Sequence, residues 1–438
     1  MIMKLTTSFL FVLSCCFALN AQEISFQEYD LDNCLHVILH QDNSAPLVVT
    51  SVLYHVGAKN EEEERTGFAH FFEHLLFEGT KNIERGEWFK IVSANGGTNN
   101  AYTTDDFTYY YEVFPSNNLE LGLWMESERM LHPIINETGV ETQNEVVKEE
   151  KRLRYDNSAY GNWAFEVRKR MFDKHPYKHI PIGEMEHLDA ASLEEFIAFN
   201  KKFYTPNNAV LVVAGDFEME ETKKMVADYF EEIPKGVSIE SKVIVEDPIV
   251  EPLTGEAFDK NIQIPALFTA YRIPKKTSRE SRVLDMISTY LSDGNSSKLY
   301  RKLVDEKKMS LQVAAFNMSM EDYGLYVILS LPVGDNKLSS LRDEIDIEVE
   351  KIQTELISET DYQKLLNKFE SRFVDSNGSI EGIANSLAEY YAIYDDTNLI
   401  NSEIDVYRSI SREEIREVAK KYLNPNQRLT LNYLPESK

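Results

Sequence analysis

Two histidines and a glutamate stand close together in His70-Phe-Phe-Glu73-His74, inside the stretch Arg65–Thr80. Their order is the inverted form of the His-Glu-x-x-His metallopeptidase motif. No proline interrupts Thr66 to Phe77, and apolar residues surround the polar trio, so the stretch predicts a largely buried helix. On a helix, His70 and His74 lie one turn apart on one face. Two imidazoles so placed can reach a single zinc ion at about 2.0–2.1 Å. Glu73 falls on the same side, near enough to take a proton from a metal-bound water, whose pKa zinc lowers to about 7. The plainer alternative is a helix with two core histidines and a salt-bridging glutamate, because motifs this short recur by chance.

The flanks narrow the choice. Arg65-Thr-Gly-Phe-Ala-His-Phe-x-Glu-His-x-x-Phe-x-Gly-Thr80 closely resembles the signature of the pitrilysin/insulinase family, which includes mitochondrial processing peptidase. The resemblance implies one zinc per chain and a third ligand, a glutamate on a later helix. Glu141-Thr-Gln-Asn-Glu-Val-Val-Lys-Glu-Glu-Lys-Arg152 matches that segment, with Glu150 at the ligand position; the phasing from Val146-Val147 favours it over Glu149. Gln143 departs from the pattern, since many members carry a further glutamate there. The family's Asn-Ala-x-Thr strand is an open sheet edge on which substrate is held as an added strand, and the resemblance carries that role to Asn100 and Ala101. The alternative for this segment is an ordinary interior strand.

One part of the family pattern is missing. A downstream arginine and tyrosine normally face the zinc to grip substrate and stabilise the oxyanion. In the matching stretch Ser297–Leu311, Leu303 and Met309 keep the apolar frame, but Val304 and Leu311 stand where the arginine and tyrosine belong. Tyr300 and Arg301 are near in sequence but fall on another side of a helix. The resemblance therefore implies a zinc endopeptidase acting on peptides or unfolded segments, paired with a related subunit that supplies the Arg/Tyr pair. A non-catalytic peptide-binding or scaffold subunit is the competing reading, and its mark would be loss of Glu73 or of a ligand; none is lost.

The 438 residues exceed one small core, and a formal net charge of −27 disfavours nucleic acid and anionic lipid as partners. Such a surface could draw in basic peptides, or serve solubility alone. Met1 to Ala21 reads as a signal peptide, with Lys4 ahead of the apolar run Ser8–Leu19 and cleavage before Gln22. A lipoprotein attachment through Cys15 is the alternative, against which Val12 and Leu13 make a poor lipobox. No later segment is long and apolar enough to span a membrane. The expected location is periplasmic or extracellular in a Gram-negative bacterium. Only Cys34 then remains, without an internal disulfide partner, as a small residue in a turn.

The elements that must position these residues repeat. Residues 192–213 align without a gap with residues 411–432, an offset of 219 (411 − 192). The expected architecture is α+β: two homologous α/β-sandwich domains, each a mixed, largely antiparallel sheet with helices packed on it, forming half of a clamshell. Residues 22–236 are read as the zinc-binding domain, 237–252 as a linker and 253–438 as a homologous domain without metal ligands. No histidine follows His187. Residues 34–40 and 47–56 read as neighbouring strands, Glu61–Glu64 as a solvated acidic run or the negative approach to the histidine helix, and His36 and His40 as structural residues without an acidic partner. Pro176 argues against a helix joining His175 to His179, and His-Pro-Tyr with Pro181-Ile-Gly183 resembles a family loop, so these two are not read as a second metal site.

Overall fold

The computed structural model describes residues 23–240 and 242–436; the expected signal segment, its cleavage point and Cys15 lie outside them. Six strands form the first sheet: β1 (Gln27–Asp30), β2 (His36–Gln41), β3 (Leu47–Tyr54), β4 (Thr98–Thr103), β5 (Thr108–Pro115) and β6 (Ala209–Gly215), in the order β1-β2-β6-β3-β5-β4. Five more form the second: β7 (Leu253–Asp259), β8 (Ala266–Ile273), β9 (Ser310–Ser319), β10 (Gly324–Pro332) and β11 (Arg428–Pro435), in the order β7-β11-β8-β10-β9. The fold is mixed α/β in two sheets. Among the described residues no helix is long and apolar enough to cross a membrane.

The repeat extends beyond the aligned segment. β8 begins 219 residues after β3 (266 − 47), and the helix Arg412–Tyr422 begins 219 after Leu193–Phe203 (412 − 193). Both helices start on a serine cap: the Ser192 side chain accepts from Glu195 N–H and Ser411 from Glu414 N–H. Strand order repeats as well, β2-β6-β3-β5-β4 answering to β7-β11-β8-β10-β9.

β2 and β3 are not neighbours, contrary to expectation. β6 lies between them, parallel to β2 (Ile38↔Val212) and antiparallel to β3 (Thr50↔Val213). Ala209-Val-Leu-Val-Val-Ala-Gly215 is buried throughout, and a strand apolar on both faces belongs in the sheet's centre. Its odd and even residues serve two cores. Leu211 and Val213 face Phe68, Phe72 and Phe196, while Val210 and Val212 face Ile383, Ala384 and Leu387.

That second core reveals an exchange between the halves. The helix Ile380–Tyr394 covers the outer face of the first sheet, and the helix Trp163–Met171 covers the second, packing Val167 and Met171 with Phe268, Val327 and Leu431. The two helices are repeat equivalents (163 + 219 = 382). Each half lends one helix to the other's sheet, so neither sheet is buried on both faces without its neighbour.

Candidate metal centre and active site

The histidine helix runs Phe68–Leu75. Gly67 caps it at φ +93°, where a Cβ would meet Ile182 O at 2.9 Å, so the tight entry requires glycine. Glu61 completes the cap. Its carboxylate is buried and accepts from Gly67 N–H and Ala69 N–H, each at 2.8 Å. The acidic run is therefore not wholly solvated: its first member satisfies two of the helix's orphan donors and faces the positive end of the dipole. Burial raises the Glu61 pKa against the pull of those two donors. The apolar side of the helix locks onto Leu193–Phe203, with Phe68 stacked on Phe196 at 4.6 Å and Phe72 on Phe199 at 5.6 Å. This packing leaves His70, Glu73 and His74 on the opposite side.

Glu150 comes from the helix Glu137–Lys151. Its Oε2 lies 3.5 Å from His70 Nε2 and 3.2 Å from His74 Nε2. Ligand atoms about 2.0–2.2 Å from a tetrahedral zinc sit roughly 3.4 Å from one another, so both spacings fit a shared ion. The three residues are the one cluster among the described residues able to hold a metal, with ligand atoms all within 4.8 Å of one another. Burial, then the neighbouring His74, push His70 down to about 4, leaving the neutral imidazole a metal requires at pH 7. Burial opposes ionisation of Glu150, but His74, His70 and Arg154 together hold it below the usual range. Arg154 Nη1 sits 2.7 Å from its other oxygen, on a π-helical turn, Arg152–Asp156, that continues the helix. Glu149 is exposed and pairs with Arg152 at 3.2 Å. Gln143 donates to Glu78.

Glu73 is mostly buried, and desolvation raises its pKa while a hydrogen bond from Thr103 opposes the shift. Thr103 ends β4, which pairs with β5 on one side only and is the open edge of the sheet. Asn100 is exposed there and Ala101 half-buried. The stretch Ser297–Leu311 does not reach this face: Tyr300, Val304 and Met309 pack on the second core and Leu311 is exposed on β9.

Other histidines sit elsewhere. His175 Nε2 is 3.3 Å from Asp322, and His179 Nδ1 is 3.9 Å from Glu61. His36 does have acidic partners, with Nδ1 2.8 Å from Asp30 and Nε2 3.4 Å from Glu28, and it stacks on Tyr391. β1 and the exchanged helix bring these groups in, and neither placement is visible from the strand's own alternation. Cys34 occupies the left-handed region at φ +65°, a turn position that favours glycine. Sequence reasoning missed Thr103 and Arg154 as partners of the centre and did not single out Glu61 within the acidic run; Thr103 lay within the Asn-Ala-x-Thr segment, and Arg154 one turn beyond Glu150.

Two homologous lobes, with a side-chain cluster able to hold a metal in one of them and none in the other among the described residues, define a half-clamshell of the inverted metallopeptidase class. Residues 36–170 match the family described as insulinase (peptidase family M16), and residues 190–369 match the peptidase M16 inactive domain. The chain belongs to the pitrilysin/insulinase family. It is 28% identical over 411 residues to the zinc protease PqqE of Helicobacter pylori, covering 92% of each chain. It is 22% identical over 409 residues to a probable mitochondrial-processing peptidase subunit beta of Arabidopsis thaliana, covering 90% of this chain and 75% of that one. Among solved structures, a protease from Helicobacter pylori superposes with TM-score 0.90 at 27% identity, covering 94% of this chain and 100% of the other. A peptidase M16 inactive domain from Pseudomonas fluorescens shares the fold at TM-score 0.84 and 15% identity, covering 94% and 98%.

Proposed function

We propose that the chain is the catalytic, zinc-carrying subunit of a periplasmic or extracellular endopeptidase, acting on peptides or unfolded segments. One observation carries the reading: His70, His74 and Glu150 converge on one point, with Glu73 on the same helix face beside an open sheet edge. Zinc held there would polarise a scissile carbonyl and lower the pKa of water. The chain's own residues do the rest. The backbone of Asn100 and Ala101 pairs with an extended peptide, giving affinity without a required side-chain sequence. Glu73 takes a proton from the attacking water and returns it to the leaving amine. Burial keeps His70 neutral and ready to ligate.

The absence of hydrogen-bond donors at Val304 and Leu311 supports a second subunit. Each missing oxyanion donor costs about 10²–10³ in rate, so a related chain without His-x-x-Glu-His is proposed to supply an arginine and a tyrosine. The fold supports this pairing, since the chain spans 47% of the periplasmic protease PqqL of Escherichia coli at 18% identity and TM-score 0.77. The "inactive domain" description falls on residues 190–369, which contain none of the three proposed ligands, and so does not favour a scaffold role for the whole chain.

The test is cleavage of a peptide library by the purified, zinc-loaded chain, alone and with such a subunit. Weak cleavage alone and strong cleavage together is expected. Full activity from the lone chain overturns the heterodimer, and no cleavage in either state overturns the peptidase.

A further inference from the structure

A general base works only if its carboxylate is held in one direction, and Glu73 is held by one group. Its Oε2 accepts the Thr103 hydroxyl at 2.7 Å. Among the described residues no side chain donates to its other oxygen, Oε1.

Thr103 is well placed to act as a fixed point. Alternation along β4 puts Ala101 and Thr103 on one face and Asn100 and Tyr102 on the other. Ala101 packs on the core that contains Phe71 and Phe72 of the histidine helix. On the opposite face the Tyr102 hydroxyl donates to Asn385 of the exchanged helix. Thr103 pairs in register with Thr108, whose own hydroxyl donates to Val56 O at 2.8 Å. The strand is thus braced on both faces and along one edge, and its other edge is open.

We propose that Thr103 is the positioning residue of the base. Its hydroxyl fixes Oε2 of Glu73 and leaves Oε1 to move the proton. This inference rests on the peptidase reading above and deepens it. Threonine suits the position: the β-branched side chain is stiff at χ1 and fits a strand, and the hydroxyl supplies the donor.

Thr103→Val keeps the shape and removes the donor; Thr103→Ser keeps the donor. A hydrogen bond to a charged group is worth roughly ten- to a hundredfold in a rate or equilibrium. Thr103→Val should therefore lower kcat by about ten- to a hundredfold, with KM unchanged because Thr103 touches the base and not the substrate. Thr103→Ser should recover most of the loss.

The experiment compares wild type, Thr103→Val and Thr103→Ser as zinc-loaded full chains with the companion subunit present. Zinc content, kcat and KM are measured on a fluorogenic peptide, and crystal structures of the three chains are compared. Expected are full zinc in all three, the kcat loss in the valine variant alone, and a Glu73 carboxylate displaced there but in place with serine. Wild-type kcat in Thr103→Val, an unmoved Glu73 in its crystal structure, or a serine variant as poor as the valine one would overturn the proposal. If wild type itself cleaves nothing, the peptidase reading falls, and the crystallographic comparison alone decides whether Thr103 positions Glu73.

Discussion

Beneath the histidine helix lies a buried charged group whose disturbance should be felt at the metal centre. Arg129 is fully buried, with Nη2 2.8 Å from Glu112 and 3.1 Å from Glu126, both also fully buried. Its guanidinium lies over Trp88, Tyr110 and Phe77 at 4.0, 4.4 and 4.5 Å from the ring centres. Tyr110 in turn donates to Phe72 O of the histidine helix at 2.8 Å. Burial, with Glu126 beside it, pushes Glu112 well above the usual carboxylate range, and the Arg129 guanidinium opposes that shift. Arg129→Met keeps much of the volume but strands a buried negative charge, which costs about 3–5 kcal/mol. Replacing all three, as Arg129→Met with Glu112→Gln and Glu126→Gln, strands no charge and should cost clearly less. The assay is urea unfolding by circular dichroism, with zinc affinity measured by competition against a chromophoric chelator. Arg129→Met should lose both stability and zinc affinity. A loss below about 1 kcal/mol, or a triple variant as unstable as the single one, would refute the assignment of the cost to uncompensated charge.

Two further outcomes follow from the site and its surroundings. Glu150→Gln should weaken zinc binding, since a neutral amide is a poor zinc ligand, whereas Glu149→Gln should leave it unchanged; equilibrium dialysis would separate them, and the reverse ranking would shift the ligand by one residue. His179 is pushed down to about 4 by burial, reinforced by Arg168 and Lys178 and opposed by Asp105. Its folded pKa lies below the unfolded value of about 6.5, so the unfolded chain binds the extra proton and stability falls as pH drops from 6.5 toward 4, by about 3 kcal/mol in all. Because His70 is shifted over the same range, His179→Gln should lower the slope of that part of the urea-midpoint profile of the metal-free chain by about half rather than abolish it, and an unchanged slope would contradict the assignment.

The histidine helix was legible because its signal is local: one turn of helix sets His70 beside His74. Glu150, far along the chain, was legible only through the resemblance of Glu141–Arg152 to the family's ligand helix. The two-lobe architecture was legible from the offset of 219 between residues 192 and 411 (411 − 192). Strand pairing was not, because alternation fixes which face a residue takes but not which strand lies beside it, and β6 entered between β2 and β3 from the far end of the lobe. The helix exchange escaped for a related reason. An apolar stripe on Trp163–Met171 or Ile380–Tyr394 needs a sheet, and either sheet would satisfy it. The run Glu61–Glu64 left a solvated loop and an approach to the helix N-terminus both open; only the fold shows that Glu61 takes the second role, by bringing Gly67 and Ala69 within its reach.

The central claim is that His70, His74 and Glu150 hold the metal while Glu73 moves the proton. It is tested most directly by measuring zinc stoichiometry and peptide hydrolysis on the same preparations of wild type and Glu73→Gln, each with the proposed companion subunit. Glu73→Gln removes a base and no ligand. It should retain one zinc per chain and lose hydrolysis, whereas loss of zinc together with activity, or hydrolysis that survives the change, would contradict the assignment.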